Sequence, residues 1–123
     1  MSNFQFPAGR RRARATRIVD GDTFDAVIDL GFGVAISHRI RLAGIDTPEL
    51  NSKNPDEVQR ALAAKGFATD WLTIAEEWPL ALEVSKGDKY GRFIARVFRH
   101  PAKEEELGPA LMAKGLARPY TGG

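Results

Sequence analysis

Apolar and polar residues alternate through the middle of the chain, where Val34, Ile36, Ile40 and Leu42 interleave with Ser37, Arg39 and Arg41. That period of two predicts a half-buried strand ending at Arg41. The same period runs from Thr23 to Leu30. Phe24, Ala26, Ile28 and Leu30 fall on one face and Thr23, Asp25 and Asp29 on the other, with Val27 the exception. A strand over Ala15–Val19 precedes it across the Asp20-Gly21-Asp22 turn, and Gly31-Phe32-Gly33 makes the hairpin into the third strand. Leu80, Leu82 and Val84 predict a fourth strand, and Phe93 to Arg99 a fifth.

The period changes between strands three and four. Asn54 suits an N-cap, Pro55 the first helical position, and Glu57 the far corner of a capping box. Ala64, Phe67, Trp71, Ile74 and Trp78 recur every three or four residues, so the helix should run to Trp78 and stop at Pro79. Gly66 inside it costs ~1 kcal/mol relative to alanine, and close packing is expected to compensate. A short second helix is predicted over Leu107–Lys114, with Gly108 as N-cap, Pro109 first, Gly115 ending it and Leu107 stapled to Met112.

Length and composition narrow the class. A chain of 123 residues, 43% hydrophobic, builds one ordered domain with a modest core. The absence of cysteine excludes disulfides and thiolate zinc sites. No apolar run approaches the roughly 20 residues of a membrane span, and the first residues lack a signal-peptide layout, so an intracellular location is expected, with no membrane partner. A monomer is expected as well. The net charge of +2 is unevenly placed. Arg10, Arg11, Arg12, Arg14 and Arg17 crowd the start, and Glu104, Glu105 and Glu106 follow late. Residues 1–14 read as a basic leader, either a solvated tail or a phosphate-contacting arm, ahead of a single domain over 15–123.

Three turns concentrate the chemistry. Arg41-Leu42-Ala43-Gly44-Ile45-Asp46-Thr47-Pro48-Glu49 sets one guanidinium and two carboxylates on a loop stiffened by Pro48. Asp20-Gly21-Asp22-Thr23 and Asp88-Lys89-Tyr90-Gly91-Arg92 are the others. Arg41 and Arg92 are the candidates to hold a phosphate, because a guanidinium donates two hydrogen bonds to one phosphate where an ammonium acts as a point charge. Asp22 and Asp46 offer hard oxygens to a calcium-like ion, with a backbone carbonyl and waters completing the shell. Glu49 is placed to orient or deprotonate a water. Each turn also has a plainer reading, as an Asp-Gly turn, a surface ion pair or a strand-edge charge. His38 and His100 fall in no motif and read as ordinary surface or strand residues, and Asp20 as either turn-forming or a support behind the site residues, outside the site itself.

DGDTF, RLAGIDTPE and DKYGRF stand in the order and approximate spacing of the staphylococcal nuclease (thermonuclease) family, which the chain resembles from about Ala15 to Ala117. The resemblance implies an α+β, mainly β fold, a five-stranded OB-fold barrel with a helix inserted after strand three and a short C-terminal helix. It implies a calcium-dependent endonuclease acting on DNA and RNA, favouring single strands and leaving 3′-phosphates. By motif match it makes Asp22, Asp46 and the main-chain oxygen of Thr47 the Ca2+ ligands and Arg41, Glu49 and Arg92 the catalytic trio. Lys89 and Tyr90 match residues that hold a terminal nucleotide phosphate. Family members continue past Gly115-Leu116-Ala117 into another helix, where this sequence ends at Gly123, a difference expected to touch stability and the nucleotide rim. Tyr120 is near but out of register with pocket tyrosines and receives no role. The alternative is a catalytically inactive OB-fold module that binds nucleic acid or a protein partner. Retention of two arginines, two aspartates and the glutamate argues against it.

Overall fold

The computed structural model describes residues 9–100 and 105–120; leader residues 1–8, Glu104 of the acidic run and the terminal 121–123 lie outside them. The elements run β1 (Arg11–Asp20), β2 (Thr23–Gly31), β3 (Val34–Leu42), β4 (Ile45–Asp46), α1 (Pro55–Leu72), β5 (Leu80–Gly87), β6 (Phe93–Arg99), α2 (Leu107–Ala113) and β7 (Arg118–Pro119). Five strands close a barrel in the order β1-β2-β3-β6-β5, and the two-residue strands β4 and β7 form a separate small sheet. β5 returns to β1 through Arg11–Ala13 and Leu80–Leu82. β3 meets β6 in parallel over Ile40–Leu42. This is the expected α+β, OB-type barrel, with a helix after its third strand. No helix of the described residues is long and apolar enough to cross a membrane.

Strand alternation fills the interior. Phe24, Ala26 and Ile28 of β2, Ile40 and Leu42 of β3, Leu80 and Leu82 of β5 and Val97 of β6 are buried together. α1 covers this core with Ala64, Ala68, Trp71 and Leu72, and α2 adds Leu107 and Leu111. Gly21 shows why a glycine separates the two aspartates of the first turn. A Cβ there would lie 2.8 Å from the Cβ of Ala64, so the turn seats directly on α1.

Several boundaries differ from expectation. β1 begins at Arg11, four residues before Ala15, because Arg11–Ala13 pair with β5. The only apolar residue in that stretch is Ala13, too small to mark a strand against so much arginine. α1 ends at Leu72, not Trp78: Thr73 leaves the helical region at φ −98°, ψ 89° while its N–H still bonds Thr69. A β-branched pair, Thr73-Ile74, weakens helix propensity at that point. Gly66 is exposed with nothing within 4 Å of an added Cβ, so no close packing compensates it. α2 starts at Leu107 after Glu106, not after Gly108. Leu107 points into the core while Met112 remains 37% exposed, so the two form no staple. The β4–β7 pair has no counterpart among the expected elements.

Candidate active site

The Asp20–Asp22 turn is stitched to the end of β3. The Leu42 amide donates to the Asp22 carbonyl at 2.9 Å. The Asp22 carboxylate is buried and accepts from Thr23 Oγ1 at 2.9 Å and from the Thr47 amide at 3.1 Å. Arg41, an outward residue at the end of β3, folds back into the loop. Its Nη1 donates to the carbonyls of Leu42 (3.0 Å) and Ile45 (2.8 Å), and its Nη2 to Asp46 at 3.1 Å. Nη1 also lies 3.5 Å from Asp22, so one guanidinium bridges both carboxylates. β7 secures the loop from outside by pairing Arg118 with Asp46, and the Tyr120 amide bonds the Gly44 carbonyl at 2.9 Å.

The turn between β5 and β6 carries the second arginine. Asp88 accepts from the backbone amides of Tyr90 and Arg92, both at 2.9 Å, and from Arg92 Nε at 2.7 Å. Burial pushes the Asp88 carboxyl up, but these bonds outweigh it and hold it below the usual carboxylate range. With Nε clamped, the two Nη groups of Arg92 hydrogen-bond to nothing among the described residues. Gly91, at φ +84°, allows the reversal that a side chain would strain. His38 supports this turn from β3. Its ring stacks on Phe93 at 3.6 Å, and its Nε2 donates to the Gly91 carbonyl at 2.8 Å.

Glu49 follows Pro48 with its backbone N–H bonded to Glu57 at 3.1 Å. The expected capping box is therefore absent. Glu57 instead accepts from Glu49 N–H and Ser52 Oγ, Ser52 receives the Asn54 amide, and Asn54 caps Asp56. Burial first, then repulsion from Asp20, Asp22, Asp46 and Glu57, raises the Glu49 carboxyl above its ordinary value. Asp20 is raised by burial and by Asp22, against the pull of Lys65 and Arg41.

These turns enclose an open cleft of about 860 Å³, lined by Asp22, Arg41, Asp46, Glu49, Lys89, Tyr90 and Arg92 among others. Thr47 is not on its wall. It is buried, lines a smaller neighbouring hollow with Asp46 and Glu49, and its Oγ1 has no hydrogen-bond partner among the described residues. Asp20 and Tyr120, both left out of the expected site, stand on its wall. Asp20 reads in the sequence as turn-forming or supporting, although its spacing from Asp22 is a usable signal. Tyr120 enters through β7, with its ring 5.5 Å from the Arg41 guanidinium. Tyr90 is 72% exposed, flanked at 5.3 Å by Lys89 and at 5.3 Å by Arg92.

The donor set tests the fit of a cation. No three His, Asp or Glu side chains group into a metal-holding cluster among the described residues. A hard ion here would thus take at most two carboxylates, with main-chain oxygen and water. That suits calcium, which accepts six to eight oxygens in flexible geometry. Burial first and like-charge repulsion second raise Asp20 and Glu49, while Arg41 already bridges Asp22 and Asp46; the oxygen donors present are of the kind such an ion accepts.

Comparison with known proteins places these features. The family model described as staphylococcal nuclease homologue matches residues 39–122, more than half of the chain. A thermonuclease of Staphylococcus intermedius is 34% identical over 102 residues, covering 83% of this chain and 55% of that protein. A probable endonuclease of Schizosaccharomyces pombe is 34% identical over 87 residues, 68% of this chain and 36% of that one. A protein named ParB from Escherichia coli is 27% identical over 115 residues, 89% of this chain and 57% of its own. The chain therefore spans between about a third and somewhat over half the length of these relatives. It belongs to the staphylococcal nuclease homologue family.

Proposed function

We propose that this protein is a nuclease that hydrolyses phosphodiester bonds of DNA and RNA endonucleolytically, prefers single strands, leaves 3′-phosphates and depends on calcium. The observation that carries the reading is the convergence of Arg41 and Arg92 on one cleft with Asp22, Asp46 and Glu49. Phosphoryl transfer needs positive charge on the non-bridging oxygens, a base beside the water, and rigid positioning. Arg41 is rigid by its bonds to Leu42, Ile45 and Asp46, and Arg92 offers unengaged Nη donors on a guanidinium fixed by Asp88. In this reading Arg92 holds the scissile phosphate through its two Nη groups, and Arg41, whose Nη1 protons go to Leu42 and Ile45, adds its charge and its remaining N–H donors.

Glu49 receives the proton of the attacking water as the new P–O bond forms. The P–O5′ bond breaks in line, and the leaving oxygen takes a proton from solvent. Asp22, Asp46 and the Thr47 main-chain oxygen would hold Ca2+, which supplies positive charge to the phosphate oxygens when bound. Lys89 and Tyr90 bind a terminal phosphate at the cleft rim. The experiment is cleavage of single-stranded DNA with calcium and with a chelator. Activity should vanish with the chelator and return with calcium; full activity in a metal-stripped sample would exclude the calcium role.

A further inference from the structure

The arginine-rich start of the chain is absorbed by neither the core nor the cleft. In β1 the inward positions are Ala13, Ala15 and Ile18, each packed into or against the core. Arg14 pairs with Val27, which faces Ser37, and Arg17 pairs with Asp25, which faces Arg39. Arg12, beside Arg14 on the same face, pairs with Asp29. The outer face of β1–β3 therefore carries Arg12, Arg14, Arg17 and Arg39 against Asp25 and Asp29. Asp25 is taken by Arg39, at 2.8 and 3.2 Å. Arg14 and Arg17 make no close ion pair with any described residue, although Arg17 adds to the pull that Arg39 exerts on Asp25.

Two features give this face a direction. Thr23 and Arg41 lie two residues beyond Asp25 and Arg39 on the same face, and both line the cleft. The arginine face is thus continuous with it. At the far end Trp78 is half-buried, with the guanidiniums of Arg14 and Arg12 at 4.9 and 5.5 Å from its ring. The part of β1 between these ends spans roughly 20–25 Å at about 3.3 Å per residue, the length of a few nucleotides. The positions between are Val27, Ser37 and Ala35, none of them a large apolar side chain, and the exposed Leu30, Phe32 and Val34 lie beyond them at the β2–β3 hairpin, outside the row of arginines. A row of cations ending on an aromatic ring is complementary to a linear polyanion bearing bases.

We infer that the outer face of β1–β3 is a second nucleic-acid surface. Arg39, Arg17 and Arg14 hold phosphates of a single strand leaving the cleft, and a base stacks on Trp78. The inference rests on reading the cleft as a nucleic-acid site. Its test is fluorescence anisotropy in chelator, using a labelled single strand of about 12 nucleotides and, as competitor, a dinucleotide. The Arg14→Gln/Arg17→Gln protein should bind the longer strand on the order of tenfold more weakly at low salt. Its log K against log salt slope should be shallower by about 1.4, since each phosphate left without its arginine removes ~0.7 for single strands. Dinucleotide cleavage should not change, and melting temperature should fall no more than loss of the Arg14 contact with Trp78 accounts for. Arg17→Glu alone, at an exposed position, gives the same reading without disturbing Trp78. Trp78→Leu should lose any preference for the strand over an abasic strand of equal length.

Unchanged affinity and slope in the double variant would overturn the inference while leaving the cleft reading intact. Arginine-dependent binding by a protein that cleaves nothing would do the reverse. Vesicles of phosphatidylserine bound as tightly as the strand, through the same arginines, would also overturn it in favour of a lipid surface.

Discussion

The carboxylate of Glu57 accepts a hydrogen bond from the backbone N–H of Glu49 at 3.1 Å, so the first turn of α1 fixes the residue proposed as base. A side chain suited to capping its own helix has been turned outward to a loop. Glu57→Ala should leave the barrel folded but let Glu49 drift. Because a misplacement of ~1 Å can cost about a hundredfold, kcat should fall on the order of tenfold or more with little change in KM. Glu57→Gln keeps an acceptor oxygen and should recover part of the loss. Steady-state kinetics of the two variants checks this, and equal, near-normal kcat in both would remove Glu57 from the positioning of Glu49.

Arg41 and Arg92 should respond differently to lysine. The Arg41 side chain is only 11% exposed and satisfies the Leu42 and Ile45 carbonyls. Arg41→Lys strands at least one of them and should lower stability by about 1–3 kcal/mol as well as turnover. The Arg92 guanidinium hydrogen-bonds only to Asp88 among the described residues, and Asp88 keeps its backbone N–H bonds when that side chain changes, so Arg92→Lys should lower melting less than Arg41→Lys does while slowing turnover on the order of 10²-fold. Paired melting and kinetic measurements separate the two, and identical stability losses would contradict the difference in their anchoring.

Asp88 gives a pH signature. Its folded-state pKa is depressed, so the stability it contributes is fully present above the ordinary carboxylate value of about 3.9 and is lost as pH falls through the folded value. The wild-type melting temperature should therefore fall in that acid window, and Asp88→Asn should flatten this part of the profile. At neutral pH the same variant should lose turnover, because Arg92 Nε loses its charged partner. A variant whose acid profile superimposes on the wild type would show that the clamp contributes no linkage.

Two glycines predict opposite signs. Gly21→Ala drives a Cβ to 2.8 Å from Ala64 Cβ and 3.1 Å from the Ala64 backbone carbon. It should destabilise by about 1–3 kcal/mol and displace Asp20 and Asp22 together. Gly66→Ala meets nothing within 4 Å on an exposed helical face and should stabilise by about 0.5–1 kcal/mol. Chemical denaturation of both variants is sufficient, and a stabilising Gly21→Ala would mean that the turn does not seat on α1.

The contrast between these glycines marks how far the sequence is legible. The Thr23–Leu30 strand emerges within a residue, because burial of one face leaves a period of two, and Phe93–Arg99 emerges as a short apolar run behind a tight turn. β1 hides the start of its alternation behind arginine and alanine. Gly21 and Gly66 look alike in sequence, and only the seating of Ala64 tells them apart. The motif residues of three separate turns are readable as a set, because charged side chains on a tight turn give a local signal. Tyr90 has no such charge and is named by resemblance. Tyr120 has no local signal either, since it reaches the cleft through a two-residue strand whose partner lies far away in the chain.

The last prediction probes the cleft without turnover. Asp20, Asp22, Asp46 and Glu49 line the cleft together with Arg92, Lys89 and Tyr90. A nucleoside 3′,5′-bisphosphate and Ca2+ should therefore bind in mutual dependence, the ion relieving repulsion among carboxylates and the phosphates adding oxygens to its shell. Linkage requires each to tighten the other by the same factor. A ligand at ~100 times its Kd stabilises the fold by about 2.7 kcal/mol, several degrees or more for a domain of this size. Melting with calcium alone, bisphosphate alone and both should give a joint shift larger than the sum of the two. Asp46→Ala should abolish the excess, although it also frees Arg41 Nη2, so Asp46→Asn, which retains an acceptor for Arg41 but not the charge, is the companion variant. Additive shifts in the wild type, or an excess that survives both substitutions, would show that ion and phosphate do not share this cleft.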